Sequence, residues 1–209
     1  MSRLSSGAIG QAGAGLRALV VLTLVVGVVY PLVMTGLAQV LFPGRADGSL
    51  VRRDGATVGS SLIGQGFTVG KKAMVAASYF QSRPSAAGNG YDPLASSASN
   101  LSPDNPDLIT LVRQRRAAVD KADGYPGPVP ADALLASGSG LDPHISPAYA
   151  ELQVARVASA RGANVRSVRA LVSRYTVGRT FGFIGEPRVN VLLLNLALDR
   201  AFPETSSAH

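Results

Sequence analysis

Cysteine is absent from this 209-residue chain. A disulfide framework, a thiolate metal site and a lipoprotein-type anchor are therefore excluded, and cysteine usage gives no clue to redox compartment. Histidine is nearly absent as well: His144 and the terminal His209 are the only two. They cannot form an H-x-x-x-H pair, and no carboxylate cluster accompanies either, so no metal ligand is expected. The G-x-x-x-x-G-K-[ST] signature is missing, which excludes a nucleotide P-loop. So is the G-x-S-x-G elbow of many serine hydrolases.

Charge is missing from one place in particular. Residues 18–42, "ALVVLTLVVGVVYPLVMTGLAQVLF", contain no charged side chain. About 20 apolar residues cross the hydrocarbon core of a bilayer, so this run suffices with some tilt. A cleaved signal peptide is the rival, since Arg3 and Arg17 give a positive flank and Gly36-Leu37-Ala38 a small-x-small site. A signal h-region usually runs about 7–15 residues, however. The run is read as a retained transmembrane helix over 18–42, after a short cytoplasmic tail over 1–17 and before an extracytoplasmic domain over 43–209. Arg3 and Arg17 favour an inside N-terminus, although Arg45, Arg52 and Arg53 nearly balance them.

Within the span, Thr23, Gly27, Pro31, Thr35 and Gln39 recur every four residues while the other faces are Leu and Val. Helices in lipid associate through close approach at small residues and through side-chain hydrogen bonds. The stripe is therefore the candidate contact with a partner helix, and Pro31 is expected to kink the span.

The net charge of +7 falls to +5 beyond Phe42 once Arg3 and Arg17 are removed. The densest basic cluster, Arg113, Arg115 and Arg116, lies in an expected helix without interleaved aromatics. It reads as a solvated helix face, and no nucleic-acid partner is expected.

The rest of the chain predicts an α+β fold, a mixture of helices and short strands following the one N-terminal transmembrane helix. Residues 51–69 read as short strands and turns, and 71–82 as a helix with Val75, Ala76, Tyr79 and Phe80 on one face. A long loop follows over 85–105. Asn105-Pro106 starts a helix whose stripe is Leu108, Leu111, Val112 and Val119, with Gly124 past its end. A short turn over 132–136 precedes Ser146-Pro147, which starts a second helix ending at Gly162. Asn164 caps a third, and 186–202 reads as an extended start passing into a helix. S-x-S-x-L-x-P occurs at 97–103 and again at 137–143, each copy running into a Pro-initiated helix.

"GSGLDPHISP", residues 138–147, gathers the side chains that invite a catalytic reading. Ser137 or Ser139, with Asp142 and His144, are the types of a nucleophile, an orienting acid and a base. Triads draw such groups from separately positioned elements, and here they share one Gly-rich loop. The plainer reading makes Ser139, Asp142, His144 and Ser146 a structural or contact loop, with Asp142 and Ser146 bonded to local N–H groups and His144 as a brace. A membrane-anchored extracytoplasmic hydrolase using His144 stays as the alternative. Asp120-Lys121 begins like the phosphorylated Asp-Lys-Thr-Gly of P-type ATPases, but Ala122 and Asp123 break that pattern.

Several ordered blocks resemble the C-subunit family of the Kdp potassium-transporting ATPases. They are "TGLAQVLFPGRADGSL" (35–50), "GSSLIGQGF" (59–67), "YFQSRPSA" (79–86), "YDPLASSASNLSPDNP" (91–106), "ASGSGLDPHISPAYAELQVARVASARG" (136–162) and "EPRVNVLLLNLALD" (186–199). One departure is local: Ala98-Ser99-Asn100-Leu101-Ser102 stands where the family usually has Gly-Ser-Asn-Leu-Gly, which puts the backbone shape there in question. The resemblance implies an accessory, non-hydrolysing subunit of a bacterial inner-membrane complex that imports K⁺ with ATP and Mg²⁺. Its implied partners are an ion-binding subunit, an ATP-hydrolysing subunit and membrane lipid, and it implies a cytoplasmic N-terminus with the bulk outside. It also implies a catalytic-chaperone role, raising the ATP affinity of the hydrolysing subunit. No residue can be assigned to ATP, Mg²⁺ or K⁺ in this chain, and no cofactor of its own is expected.

Overall fold

A computed structural model describes residues 3–69, 74–125 and 127–204. The chain divides into two units, 1–50 and 51–209.

The first unit is a long helix with one wide turn. It comprises α1 (Arg3–Leu24), a π-helical turn (Val25–Val29) and α2 (Tyr30–Leu41), followed by the four-residue α3 (Pro43–Ala46). The helix begins at Arg3, so the stretch expected as a tail is helical from there. The apolar part, Gly7–Leu41, is 35 residues long and none of it is buried within the chain. At 1.5 Å per residue that is roughly 50 Å, longer than the ~30 Å hydrocarbon core, so one end extends beyond it or the helix tilts.

The kink expected at Pro31 takes a specific form. Pro31 has no N–H and its ring crowds the carbonyl four residues back. The turn before it widens accordingly, and Tyr30 N–H donates to the Val25 carbonyl, an i→i−5 bond.

The second unit is built on α6 (Pro147–Ala160), α7 (Val165–Arg174) and α8 (Val191–Ala201). Ala150, Leu152, Val154, Val157 and Ala158 of α6 are buried with Val168 and Val172 of α7 and Val191, Leu194 and Leu198 of α8. Each fully buried Val or Leu stabilises by roughly 1.5–3 kcal/mol. Phe80, Val119, Ala133, Ile145, Tyr149 and Val189 complete this core. A three-stranded antiparallel sheet lies beside it: β5 (His144–Ile145), β7 (Arg188–Asn190) and β6 (Thr176–Val177), in that order. Ile145 and Thr176 both face Val189 across the ladder. The final segment is thus an extended start that passes into a helix, as its alternating Val189 and Val191 and then Leu194 and Leu198 predict.

Two small hairpins precede the core, β1 (Leu50–Arg53) with β2 (Ala56–Ser60), and β3 (Thr68–Val69) with β4 (Met74–Val75). α4 (Pro106–Asp123) follows the long loop, and α5 (Ala131–Leu134) is the short turn before the 138–147 stretch. The helix starts read from sequence match their caps. Asn105 Oδ1 accepts from Asp107 N–H, Ser146 Oγ from Tyr149 N–H and Asn164 Oδ1 from Arg166 N–H. Gly124 closes α4 at φ 56. In the 98–102 departure only Asn100 has a left-handed φ (49), and asparagine tolerates it; Ala98 and Ser102 do not.

The helix expected over 71–82 is a correction. Residues 71–73 lie outside the described residues, Met74–Val75 is a strand, and 76–82 is irregular. Its backbone groups are claimed by distant side chains instead. Asn195 Oδ1 accepts from Phe80 N–H and Asn195 Nδ2 donates to Phe80 C=O, both at 2.9 Å. Gln153 does the same for Gln81, accepting at 2.7 Å and donating at 3.2 Å. Two amide side chains thereby satisfy this segment as a neighbouring strand would, and a buried backbone so served gains nothing by becoming helical.

Candidate functional site

Each part of the 138–147 loop is tied to a different element. Gly64 N–H donates to Leu141 C=O at 2.8 Å, and Val191 N–H donates to Pro143 C=O at 3.0 Å. Ser85 Oγ donates to Gly140 C=O at 2.6 Å. The two S-x-S-x-L-x-P copies lie side by side, with Ser97 N–H and Ser96 Oγ both donating to Ser139 C=O. Gly140 makes this possible at φ 68. A Cβ there would sit 2.7 Å from both Ala87 N and Ser97 O.

Asp142 is the junction of the loop. Its Oδ1 accepts from His144 N–H at 2.9 Å and lies 3.2 Å from His144 Nδ1, while Oδ2 is 3.4 Å from the Arg83 guanidinium. Burial pushes this carboxyl up. The His144 ring and N–H hydrogen bonds, with the His144 and Arg83 charges, outweigh that and hold it below its ordinary value. Asp132 anchors the other end, its carboxylate accepting from Ser146 N–H at 2.6 Å and Ser146 Oγ–H at 3.0 Å.

The serines settle how the three catalytic types are used. Ser139 Oγ accepts from Leu141 N–H, Ser137 Oγ from Asp142 N–H, and Ser146 Oγ caps α6. None is bonded to the His144 ring, so Asp142 and His144 form a pair without a nucleophile. A cleft of about 460 Å³ beside them is lined by Arg83, Asp132, Asp142, His144, Glu186 and Arg188, among others. Among the described residues no three His, Asp or Glu side chains gather as metal ligands would. His209 lies outside the described residues.

A buried polar cluster that sequence reasoning missed is built around Arg156 of α6 and Arg161 just past its end. Arg156 Nε contacts Asp123 Oδ1 at 2.7 Å, with side chains only 8 and 6 % exposed. The same guanidinium donates to the carbonyls of Ala76, Ala77 and Tyr79 and to Gln153 Oε1. Arg161 donates to Ser78 C=O, Phe202 C=O and Asp199 Oδ1, and stacks over the Tyr79 ring at 4.6 Å. Asp199 also pairs with Arg53. Burial pushes the Asp123 carboxyl above its ordinary value even with Arg156 beside it. The sequence did hold a signal, because Gln153 is polar yet falls on α6's apolar face.

Along the span, Thr23, Gly27, Pro31, Thr35 and Gln39 are all exposed. A Cβ on Gly27 would meet only Thr23 Cγ2, at an ordinary 3.8 Å, so the helix itself does not require glycine there. Gln39 has a local partner, donating to Asp47 Oδ1 at 3.0 Å. Its amide thus needs no neighbouring helix, which removes one reason for counting it in the stripe.

The family model described as "KdpC: K+-transporting ATPase, c chain" matches residues 12–200. The chain belongs to the KdpC family. A Kineococcus radiotolerans protein, "Potassium-transporting ATPase KdpC subunit", is 54 % identical over 204 residues, covering 97 % of this chain and 100 % of that one. Proteins of the same name from Rhodospirillum rubrum and Streptomyces coelicolor are 54 and 51 % identical. They cover 87 and 88 % of this chain and 91 and 90 % of their own. The KdpC match takes in the span, the 138–147 loop and the α6–α8 core together, so the family is shared as a whole architecture.

Proposed function

We propose that this KdpC chain is an accessory, non-hydrolysing subunit of an ATP-driven potassium importer, assembling with an ion-binding and an ATP-hydrolysing subunit. The observation that carries the proposal is the pairing of two features in one family member. An apolar helix of membrane length has no buried residue among those described. In the second unit Ser137, Ser139, Asp142 and Asp132 accept hydrogen bonds from loop N–H groups, while none of the loop's serines bonds the His144 ring. The N-terminus lies in the cytoplasm and the second unit outside, with Thr23, Gly27, Pro31 and Thr35 facing a helix of the complex. Any rise in the ATP affinity of the hydrolysing subunit then passes through the span as a coupling between conformational states, since the second unit would lie across the membrane from the nucleotide.

The test is pull-down of the tagged chain from membranes, followed by K⁺-stimulated ATPase assay with and without it. Co-purification of both larger subunits, and a higher apparent ATP affinity when the chain is present, is the expected result. ATP hydrolysis by the isolated chain, or an importer whose assembly and ATP dependence ignore it, would overturn the reading.

A further inference from the structure

Between β6 and β7 the chain makes a bare hairpin, "GRTFGFIGEP" (178–187), closed by reciprocal hydrogen bonds of Thr180 and Ile184, both at 2.9 Å. Its tip exposes Phe181 (84 %), Phe183 (74 %) and Ile184 (52 %). Phe80, by contrast, is in the core, and Phe67 and Phe202 pack against it. Phe181 has φ 53 and Gly182 φ 83. Asn-Gly makes such a left-handed turn readily, whereas an aromatic residue there is strained. The free chain gains little packing from Phe181 and Phe183, leaves Ile184 half-exposed, and tolerates strain to display them. That combination marks an interaction site.

Where α7 and α8 end, α7 just before β6 in the chain, is a groove of about 250 Å³ lined by Leu171, Arg174, Tyr175, Ala197, Arg200 and Ala201. Arg174 and Arg200 end α7 and α8 and are both exposed. Arg156, Arg161, Arg169 and Arg179 each meet a carboxylate. Neither groove arginine has an ion pair or a side-chain hydrogen bond among the described residues. Two guanidiniums with free donors beside one groove suit phosphate oxygens. Phe181 lies six residues beyond Tyr175, so the groove and the start of the tip lie within roughly 20 Å of each other along the chain.

Three observations choose the occupant. The tip is a narrow wedge of three side chains, far short of the ~800 Å² per partner of a stable protein interface. Arg174 and Arg200, on the groove where α7 and α8 end, complement anionic headgroups. A membrane-length helix ends at Leu41, and only residues 42–50 separate it from the second unit. The bilayer surface is therefore held within a short tether, at high effective concentration. We propose that this is a phospholipid-binding surface: Phe181, Phe183 and Ile184 enter the acyl boundary while Arg174 and Arg200 hold headgroup phosphates of anionic lipid. The proposal needs the span but not the subunit assignment, and it holds for either orientation.

The chain has no tryptophan, so Phe183→Trp supplies a clean reporter, and Ile184→Trp an independent one. The full-length variants are placed in nanodiscs of phosphatidylcholine with or without phosphatidylglycerol, using acyl-brominated lipid as quencher. The expected result in phosphatidylglycerol is blue-shifted emission that brominated chains quench. One cation near an anionic leaflet is worth about fivefold, so Arg174→Gln with Arg200→Gln should lower the ratio of inserted to free tips roughly 30-fold. Solvent-like, unquenched emission from both reporters in both lipids would overturn the proposal. So would a blue shift that needs the co-reconstituted transporter subunits and escapes the brominated lipid, which would assign the tip to a protein interface. Quenching indifferent to the arginine changes would remove the headgroup site.

Discussion

Asp142 and Gly140 show how single residues in the most chemical-looking loop are used. The His144 hydrogen bonds and the Arg83 charge hold the Asp142 carboxyl below its ordinary value against burial. A depressed folded-state value means that ionised Asp142 stabilises the fold above the unfolded carboxylate range, and that this contribution is lost as pH falls through the lower folded value. Asp142→Asn should therefore cost about 1 kcal/mol near neutrality and progressively less in acid, read as the denaturant midpoint against pH. A difference that persists undiminished in acid would show that the charge is not the cause. Gly140→Ala is the harsher change. It places a Cβ 2.7 Å from two backbone atoms at a positive φ, so a loss of about 3 kcal/mol in chemical denaturation is expected. A loss below about 1 kcal/mol, in the range of a simple glycine-to-alanine entropy effect, would mean that the 85–97 loop moves aside easily.

At the scale of elements, α6 is more than a core helix. Its buried face is apolar except at Gln153, and its Arg156, with Arg161 just past its end, holds the irregular 76–82 segment. Replacing Arg156 with Met removes five donated bonds and leaves the Asp123 carboxylate buried without its cation. The expected loss is about 3–5 kcal/mol by thermal or denaturant unfolding. Asp123 is already pushed up by burial, and losing Arg156 raises it further. The sign is opposite to Asp142: a carboxyl raised in the folded state is costly above the unfolded range, so Arg156→Met should recover stability as pH falls. Adding Asp123→Asn to Arg156→Met should restore part of the loss at neutral pH, and strict additivity would show that the pair is not coupled. The same element explains what was legible in the sequence. Asn105, Ser146 and Asn164 each cap a helix two or three residues away, so local reading finds them. The 76–82 segment has helical periodicity in Val75, Ala76, Tyr79 and Phe80, but its bonding partners lie 72 to 115 residues away in Gln153 and Asn195. No window along the chain contains them.

For the whole molecule, the sequence readily shows a membrane-length helix joined to an α+β unit, because both signals are local runs of composition and periodicity. The use of the span is less legible, since spacing says only which residues share a stripe. A four-residue repeat drifts by about 40° per step on an α-helix, so Thr23 and Gln39 would end far apart around a straight span. The π turn over Val25–Val29 closes i→i−5 and takes more residues per turn. Within that turn the drift is reduced, bringing Gly27 and Pro31 closer to one line. Gln39, bonded to Asp47, is the weakest member, and Gly27 and Thr35 are the strongest because nothing in their own helix needs them small or polar. Gly27→Leu with Thr35→Leu should therefore leave the circular dichroism of the full chain unchanged and lower its co-purification with the larger transporter subunits by roughly tenfold or more, the scale of a lost 1–2 kcal/mol contact between membrane helices. Leu at Val26 and Val33 serves as the control off the stripe and should co-purify normally. If the stripe variant and the control are recovered in complexes equally well, the span docks through another face and the four-residue repeat is only an anchor's composition.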